Sequence, residues 1–122
     1  MKLKVNDINR LVKRGFISKS EKMALDKLIA EFRASWPQVK AKVFGSKVKG
    51  VADEESDFDI LILIPEEVTE NIRRQIIHKV FDINLIHDTN LSPLIISESE
   101  WESRLTSFLP IHAFIEEEGV PC

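Results

Sequence analysis

The chain has 122 residues, 43% of them hydrophobic, and a formal net charge of −3, which fits one globular domain with a modest core. This charge balance argues against non-specific nucleic-acid binding, which relies on clustered Lys and Arg. No apolar run approaches the ~20 residues of a membrane helix, the N-terminus lacks the apolar core of a signal peptide, and Cys122 is the only cysteine. We therefore expect a cytoplasmic protein of one domain, residues 1–122, with no membrane partner, no direct nucleic-acid partner and no internal disulfide.

Two helices are predicted before the first strand. Residues 1–17 form an N-terminal arm in which Asp7 caps a short helix. Ser18 opens a capping box, and Pro37 ends the helix that follows. We interpret Trp36, the last apolar residue of that helix, as a core residue and not as a base-stacking platform. The apolar residues at helical spacing are Leu25, Leu28, Ile29, Phe32 and Trp36.

A strand over residues 38–44 leads into Gly45 and Ser46. Glycine lets the backbone approach a ligand closely, and serine adds a hydroxyl and a backbone N–H. Lys47 and Lys49 bring positive charge to the same place, although two lysines in a loop are most often only solvated. The stretch is a candidate phosphate-binding turn.

Two acids open the next strand, which is predicted from Asp57 to Ile64. Its near-continuous apolar run indicates a strand covered on both faces. Asp57 and Asp59 share one face because alternate residues of a strand point the same way. Two such close carboxylates repel each other unless a cation lies between them, and oxygen ligands favour a hard ion such as Mg²⁺. Asp-x-Asp alone is usually a solvated turn, so the nearby Gly-Ser pair is what makes this pattern specific.

After Pro65 the pattern predicts three helices and two strands: a helix over 66–79, a strand over 80–86, a short strand over 94–96, and helices over 97–107 and 111–118. Asp82 lies early in the predicted strand 80–86, where an acid is costly to bury unless it is paired or coordinating. Asp88 is a weaker candidate, because Asp88, Thr89 and Asn90 are typical of a turn.

The stretch Gly45-Ser46, ten residues, then Asp57-Phe58-Asp59 resembles the signature of the DNA polymerase β-like nucleotidyltransferase superfamily. The spacing and short chain resemble its minimal nucleotidyltransferase (MNT) branch over roughly residues 20 to 119. Many MNT proteins are antitoxins paired with a HEPN-domain ribonuclease toxin. The resemblance implies an α/β fold with a small mixed sheet, helices mainly on one face and the acidic site on an edge of the other.

The resemblance also implies a reaction and its residues. A nucleoside monophosphate, AMP from ATP, would pass to an acceptor hydroxyl. Asp57, Asp59 and a third carboxylate from the strand after the helix, which Asp82 matches, would hold two Mg²⁺ ions. The nucleotide-binding residues would be Gly45 and Ser46, with Lys47 or Lys49 neutralising charge. The antitoxin branch often has Gly-Ser-x-Ala-Arg-Gly, whereas this chain has Lys49 before Gly50; lysine keeps the charge but loses the planar fork of arginine.

Three functions remain open on the sequence. The first is an antitoxin that adenylylates a HEPN toxin. The second is an enzyme that modifies a small molecule, such as an aminoglycoside, as a dimer or with a helical subunit. The third is a non-catalytic subunit that blocks its partner by contact alone. Because the chain has no room for an acceptor-binding domain, a partner protein or a self-dimer must supply that surface in either enzyme.

Overall fold

The computed structural model describes residues 8–53 and 56–122, which surround a four-stranded sheet. The strands are β1 (Lys40–Phe44), β2 (Phe58–Ile64), β3 (Leu91–Ser97) and β4 (Val120–Pro121). Their order is β3-β2-β1-β4. β2 is antiparallel to β1 and parallel to β3, and β4 is antiparallel to β1. The predicted α/β fold with a small mixed sheet is confirmed.

Seven α-helices lie within these described ranges: α1 (Ile8–Lys13), α2 (Lys19–Ser35), α3 (Ser46–Lys49), α4 (Glu70–His87), α5 (Glu98–Trp101), α6 (Arg104–Ser107) and α7 (Pro110–Glu118). None of them combines the length and the apolarity that crossing a membrane requires. The predicted cap at Asp7 lies outside the described residues. The single helix predicted over 97–107 is instead two helices, α5 and α6. Ser103 is the N-cap of α6, since its side chain accepts the Thr106 N–H.

Both faces of the sheet are covered, one by a larger and the other by a smaller hydrophobic cluster. On the larger face, α2 and α4 pack against alternate residues of β2, and this cluster contains Phe58, Ile60, Ile62 and Ile64. The other face packs against α5 and α7 through a smaller cluster: Leu61, Leu63, Trp101 and Ile115. Because side chains alternate along a strand, Asp59 points to the smaller side. Asp59 therefore lies on the sheet face opposite α2 and α4, the face on which the resemblance implied the acidic site.

Helix α2 begins and ends as predicted. Ser18 accepts the Glu21 N–H at 3.0 Å while the Glu21 carboxylate accepts the Ser18 N–H at 2.8 Å, which completes the capping box. Trp36 follows the helix and is 8% exposed, and its indole N–H donates to Glu66 at 2.7 Å. The interpretation of Trp36 as a core residue is confirmed.

The strand predicted over residues 80–86 is wrong, because these residues continue α4 to His87. Ile76, Val80 and Ile83 recur at helical spacing and are buried against the sheet. The Asn84 amide then ties the helix end to β3: it donates to the Leu91 carbonyl at 3.1 Å and accepts the Leu91 N–H at 2.8 Å. The parallel neighbour of β2 is therefore β3, of which the sequence predicted only residues 94–96.

Candidate functional site

Gly45 and Asp59 lie against each other where β1 ends and β2 begins. Phe44 is paired with Asp59 across the sheet, so the chain passes directly beside that carboxylate at Gly45. The backbone of Gly45 has φ 84° and ψ −156°, a conformation that glycine alone adopts readily. A β-carbon at this position would collide with the Asp59 carboxylate oxygen. Glycine is therefore required here both for its backbone conformation and for its lack of a side chain.

The two acids of this site influence each other. Asp57 is exposed just before β2, and Asp59 is half-buried within it. Burial of the carboxyl, and secondly the negative charge of Asp57, raise the pKa of Asp59. A cation held between the two carboxylates would relieve both effects. This pair therefore fits a hard divalent ion bound through oxygen atoms.

Ser46 begins the one-turn helix α3 directly after Gly45. The Gly45 carbonyl accepts the Val48 N–H at 3.2 Å, and the Ser46 carbonyl accepts the Val51 N–H at 3.2 Å and the Gly50 N–H. These bonds fix the turn. They hold Ser46, which is half-buried, next to the residue that contacts Asp59.

Asp82 is not brought to the acid pair. It is an exposed residue of α4, and α4 covers the opposite face of the sheet. In the described part of the chain no group of three or more Asp, Glu, His or Cys side chains is arranged to hold a metal ion, so Asp88 does not complete the set either. The prediction that Asp82 lies on a strand beside Asp57 and Asp59 is wrong.

The residue beside Asp59 on the neighbouring strand is Ser92. The two are register partners of parallel strands, and Ser92 shares its sheet face with Leu94, which packs against the smaller cluster. Sequence reasoning missed Ser92 because it placed the neighbouring strand at residues 80–86. The available signal was the apolar run from Leu91 to Ile96 after the Thr89-Asn90 turn.

Residues 25–115 match the family model described as "Nucleotidyltransferase domain". The chain belongs to the nucleotidyltransferase domain family. It is also 42% identical over 53 residues to "Putative protein adenylyltransferase MJ0141" of Methanocaldococcus jannaschii, a stretch that covers 43% of this chain and 54% of that protein. The match thus spans about half the length of this relative. Nucleotidyltransferase domains generally use divalent metal ions, in keeping with the acid pair.

Lys47 of this nucleotidyltransferase domain does not lie in a solvated loop. Its side chain is buried, and its Nζ lies 2.9 Å from the Glu21 carboxylate and donates to the Asp53 carbonyl at 3.3 Å. The amine thus ties the loop after α3 to the first turn of α2. The structure gives Lys47 a structural partner and offers no support for a phosphate contact from it.

Lys49 and Gly45 both line a small cleft. The cleft has a volume of about 210 Å³, and its lining includes Ile111 and Phe114 of α7. Lys49 Nζ lies 3.2 Å from the Glu118 carboxylate and 5.6 Å from the centroid of the Phe114 ring. Because this lysine is half-exposed, its amine can exchange an exposed carboxylate for a phosphate at little cost.

Proposed function

We propose that this chain transfers AMP from ATP to a hydroxyl group of a protein. The observation that carries the proposal is the contact between Gly45 and the Asp59 carboxylate in a chain of the nucleotidyltransferase domain family. This contact puts a candidate phosphate-binding turn and a candidate cation-binding pair at one point. A triphosphate with its divalent ion needs these two functions side by side.

Each residue of the site has a role in this proposal. Asp57 and Asp59 would hold Mg²⁺, which when bound neutralises triphosphate charge and stabilises pyrophosphate as it leaves. The Gly45 N–H and the Ser46 hydroxyl donate to the β- and γ-phosphates. Lys49, after leaving Glu118, neutralises the charge that develops on the leaving group. The acceptor oxygen forms its bond to the α-phosphorus as the bond to pyrophosphate breaks, and the hydroxyl proton passes to water.

We assign one ion to this acid pair and give Asp82 no part in binding it. The predicted second ion depended on a third carboxylate beside Asp59, and the register partner of Asp59 is Ser92. A serine hydroxyl is neutral and is a weaker ligand for a hard cation than a carboxylate. Titration with Mn²⁺, followed by electron paramagnetic resonance in the presence of ATP, counts the ions.

The surroundings of Gly45 favour a protein as the acceptor over an aminoglycoside. An aminoglycoside is a polycation and favours an acidic cleft, whereas the lining of this cleft includes the apolar side chains of Ile111 and Phe114 and the cation Lys49. The nearby exposed apolar side chains of α6, α7 and the turn between them suit a protein surface; they are Leu105, Phe108, Leu109, Ile111 and Phe114. The resemblance to MNT antitoxins makes a HEPN-domain toxin the first acceptor to test.

The test is to incubate the protein with Mg²⁺ and a HEPN-domain partner, using ATP labelled on the α- or the γ-phosphate. We expect the partner to become labelled only by ATP that carries the label on the α-phosphate, and to gain the mass of one AMP. Transfer should stop when EDTA removes the Mg²⁺. Asp57→Asn and Asp59→Asn should abolish transfer. Asp82→Asn is the matched control, since it removes a carboxylate from the opposite face of the sheet and should leave transfer unchanged.

Other outcomes separate the alternatives. Transfer of the γ-label would indicate a kinase and reject the proposal. Label found only on small molecules would favour the second function. Inhibition of the partner by the Asp57→Asn variant as strong as that by wild type would favour the non-catalytic subunit, for which the Gly45 and Asp59 contact has no evident use.

A further inference from the structure

Helix α4 carries apolar side chains on the face that points away from the sheet. Ile76, Val80 and Ile83 already bury its inner face, so Ile77, Phe81 and Leu85 are not needed for the core. These three are 50%, 60% and 67% exposed, and they follow one another at intervals of four residues along one stripe. A helix that is apolar on both faces normally packs on both sides, so the stripe calls for a covering surface.

The spacing of residues along this stripe is symmetric about Phe81. Arg74, Ile77, Phe81, Leu85 and Asp88, which is the C-cap residue of α4, are separated by steps of three, four, four and three residues, two heptads in all. A mean spacing of about 3.5 residues is that of a helix which packs lengthwise against another helix. Symmetry about a central residue is what an isologous, two-fold contact requires, because each position must meet its mirror position on the partner.

The charges at the two ends complete this symmetry. Arg74 and Asp88 lie seven residues on either side of Phe81 and are both exposed, and within the described residues neither forms an ion pair. In an antiparallel pair of α4 helices, Arg74 of each copy meets Asp88 of the other, and Ile77 meets Leu85. A parallel pair would instead place Arg74 against Arg74. The stripe is thus complementary in charge to a second, antiparallel copy of itself.

We propose that this protein forms a homodimer through α4, with two antiparallel copies of the helix crossing at Phe81. The inference does not rest on the proposed function, because α4 lies on the sheet face opposite the acid pair. Three apolar side chains and two end charges per copy make a small interface. We therefore expect a dissociation constant on the order of micromolar.

Sedimentation velocity over about a hundredfold range of protein concentration tests the dimer. Wild type should shift from monomer to dimer, and Phe81→Glu should raise the dissociation constant by more than about tenfold. Ile86→Glu is the matched control: Ile86 is 78% exposed on the same helix but lies about 140° around its axis from Phe81. A monomeric wild type, or equal effects of the two variants, would overturn the proposal.

The end charges are tested by a second pair of variants. Arg74→Glu places two carboxylates at each end of the contact and should weaken the dimer. Adding Asp88→Asn removes one of them and should recover part of the affinity; asparagine tolerates the left-handed backbone at this position, φ 53°. No recovery in the double variant would show that Arg74 does not face Asp88.

Oxidative cross-linking tests the direction, in a Cys122→Ser background. Phe81→Cys should form a covalent dimer with itself. Ile77→Cys should not, because in the antiparallel arrangement its two copies lie about 12 Å apart along the axis, beyond the Cα separation of about 7 Å that a disulfide spans. Ile77→Cys should link instead to Leu85→Cys when the two proteins are mixed. Self-linkage of Ile77→Cys would establish a parallel pair and reject the proposal.

Discussion

Substitution of Gly45 by alanine should disable the site without unfolding the protein. The new β-carbon meets the Asp59 carboxylate and must displace it by about 1 Å to restore ordinary contact. A misplacement of that size near reacting groups costs on the order of a hundredfold in rate. We therefore expect Mg²⁺-dependent ATP binding to weaken and AMP transfer to fall by about a hundredfold.

The stability cost of the same change follows from the backbone. The φ and ψ angles of Gly45 lie in a region that is nearly exclusive to glycine, so alanine there costs up to about 3 kcal/mol. A domain of this size has a free energy of unfolding of about 5–15 kcal/mol, so most of the variant stays folded. Urea unfolding followed by circular dichroism measures the loss, and calorimetry with ATP and Mg²⁺ measures binding.

Gly15→Ala is the matched control for Gly45→Ala. Gly15 also has a positive φ, 75°, but a β-carbon there would meet nothing within 4 Å. We expect a loss of about 1 kcal/mol from backbone strain and unchanged ATP binding. If Gly45→Ala binds ATP as well as Gly15→Ala does, the contact with Asp59 has no functional importance and the reasoning fails.

Three further predictions concern single side chains. Ser46→Ala should weaken ATP binding by about 1–2 kcal/mol through loss of one phosphate donor. Calorimetry measures the affinity, and Ser20→Ala, at an exposed position, is the control. Equal affinities of the two variants would make Ser46 only a turn residue. Lys47→Met should lower the free energy of unfolding by about 2 kcal/mol because it leaves the charge of Glu21 without its cationic partner. The double variant with Glu21→Gln should recover part of this in urea titrations, and a loss without recovery would contradict the ion pair. Burial raises the pKa of the Cys122 thiol to about 12, so iodoacetamide at neutral pH should modify the native protein far more slowly than the urea-unfolded protein, and equal rates would show that the thiol is accessible.

The sequence by itself determined the central part of the candidate site, because that part is local. Gly45 and Asp59 lie at the facing ends of two antiparallel strands that follow one another in the chain, and the alternation of side chains along β2 sets the face of Asp59. The capping box at Ser18 is equally local, since all its hydrogen bonds lie within three residues of sequence. Such features follow from residue order, with no knowledge of what packs above them.

The tertiary structure alone decided what lies around this centre. Residues 80–86 have the apolar content of a strand, but they continue α4, in which Val80 and Ile83 pack against the sheet and Asp82 lies on the exposed side, away from the acids. The pairing of Lys47 with Glu21 joins residues far apart in the chain, so no spacing rule predicts it. The same is true of Ser92, which meets Asp59 only through the register of two parallel strands joined by a long crossover. Long-range contacts of this kind depend on how whole elements dock, and local sequence preference yields to the burial that docking provides.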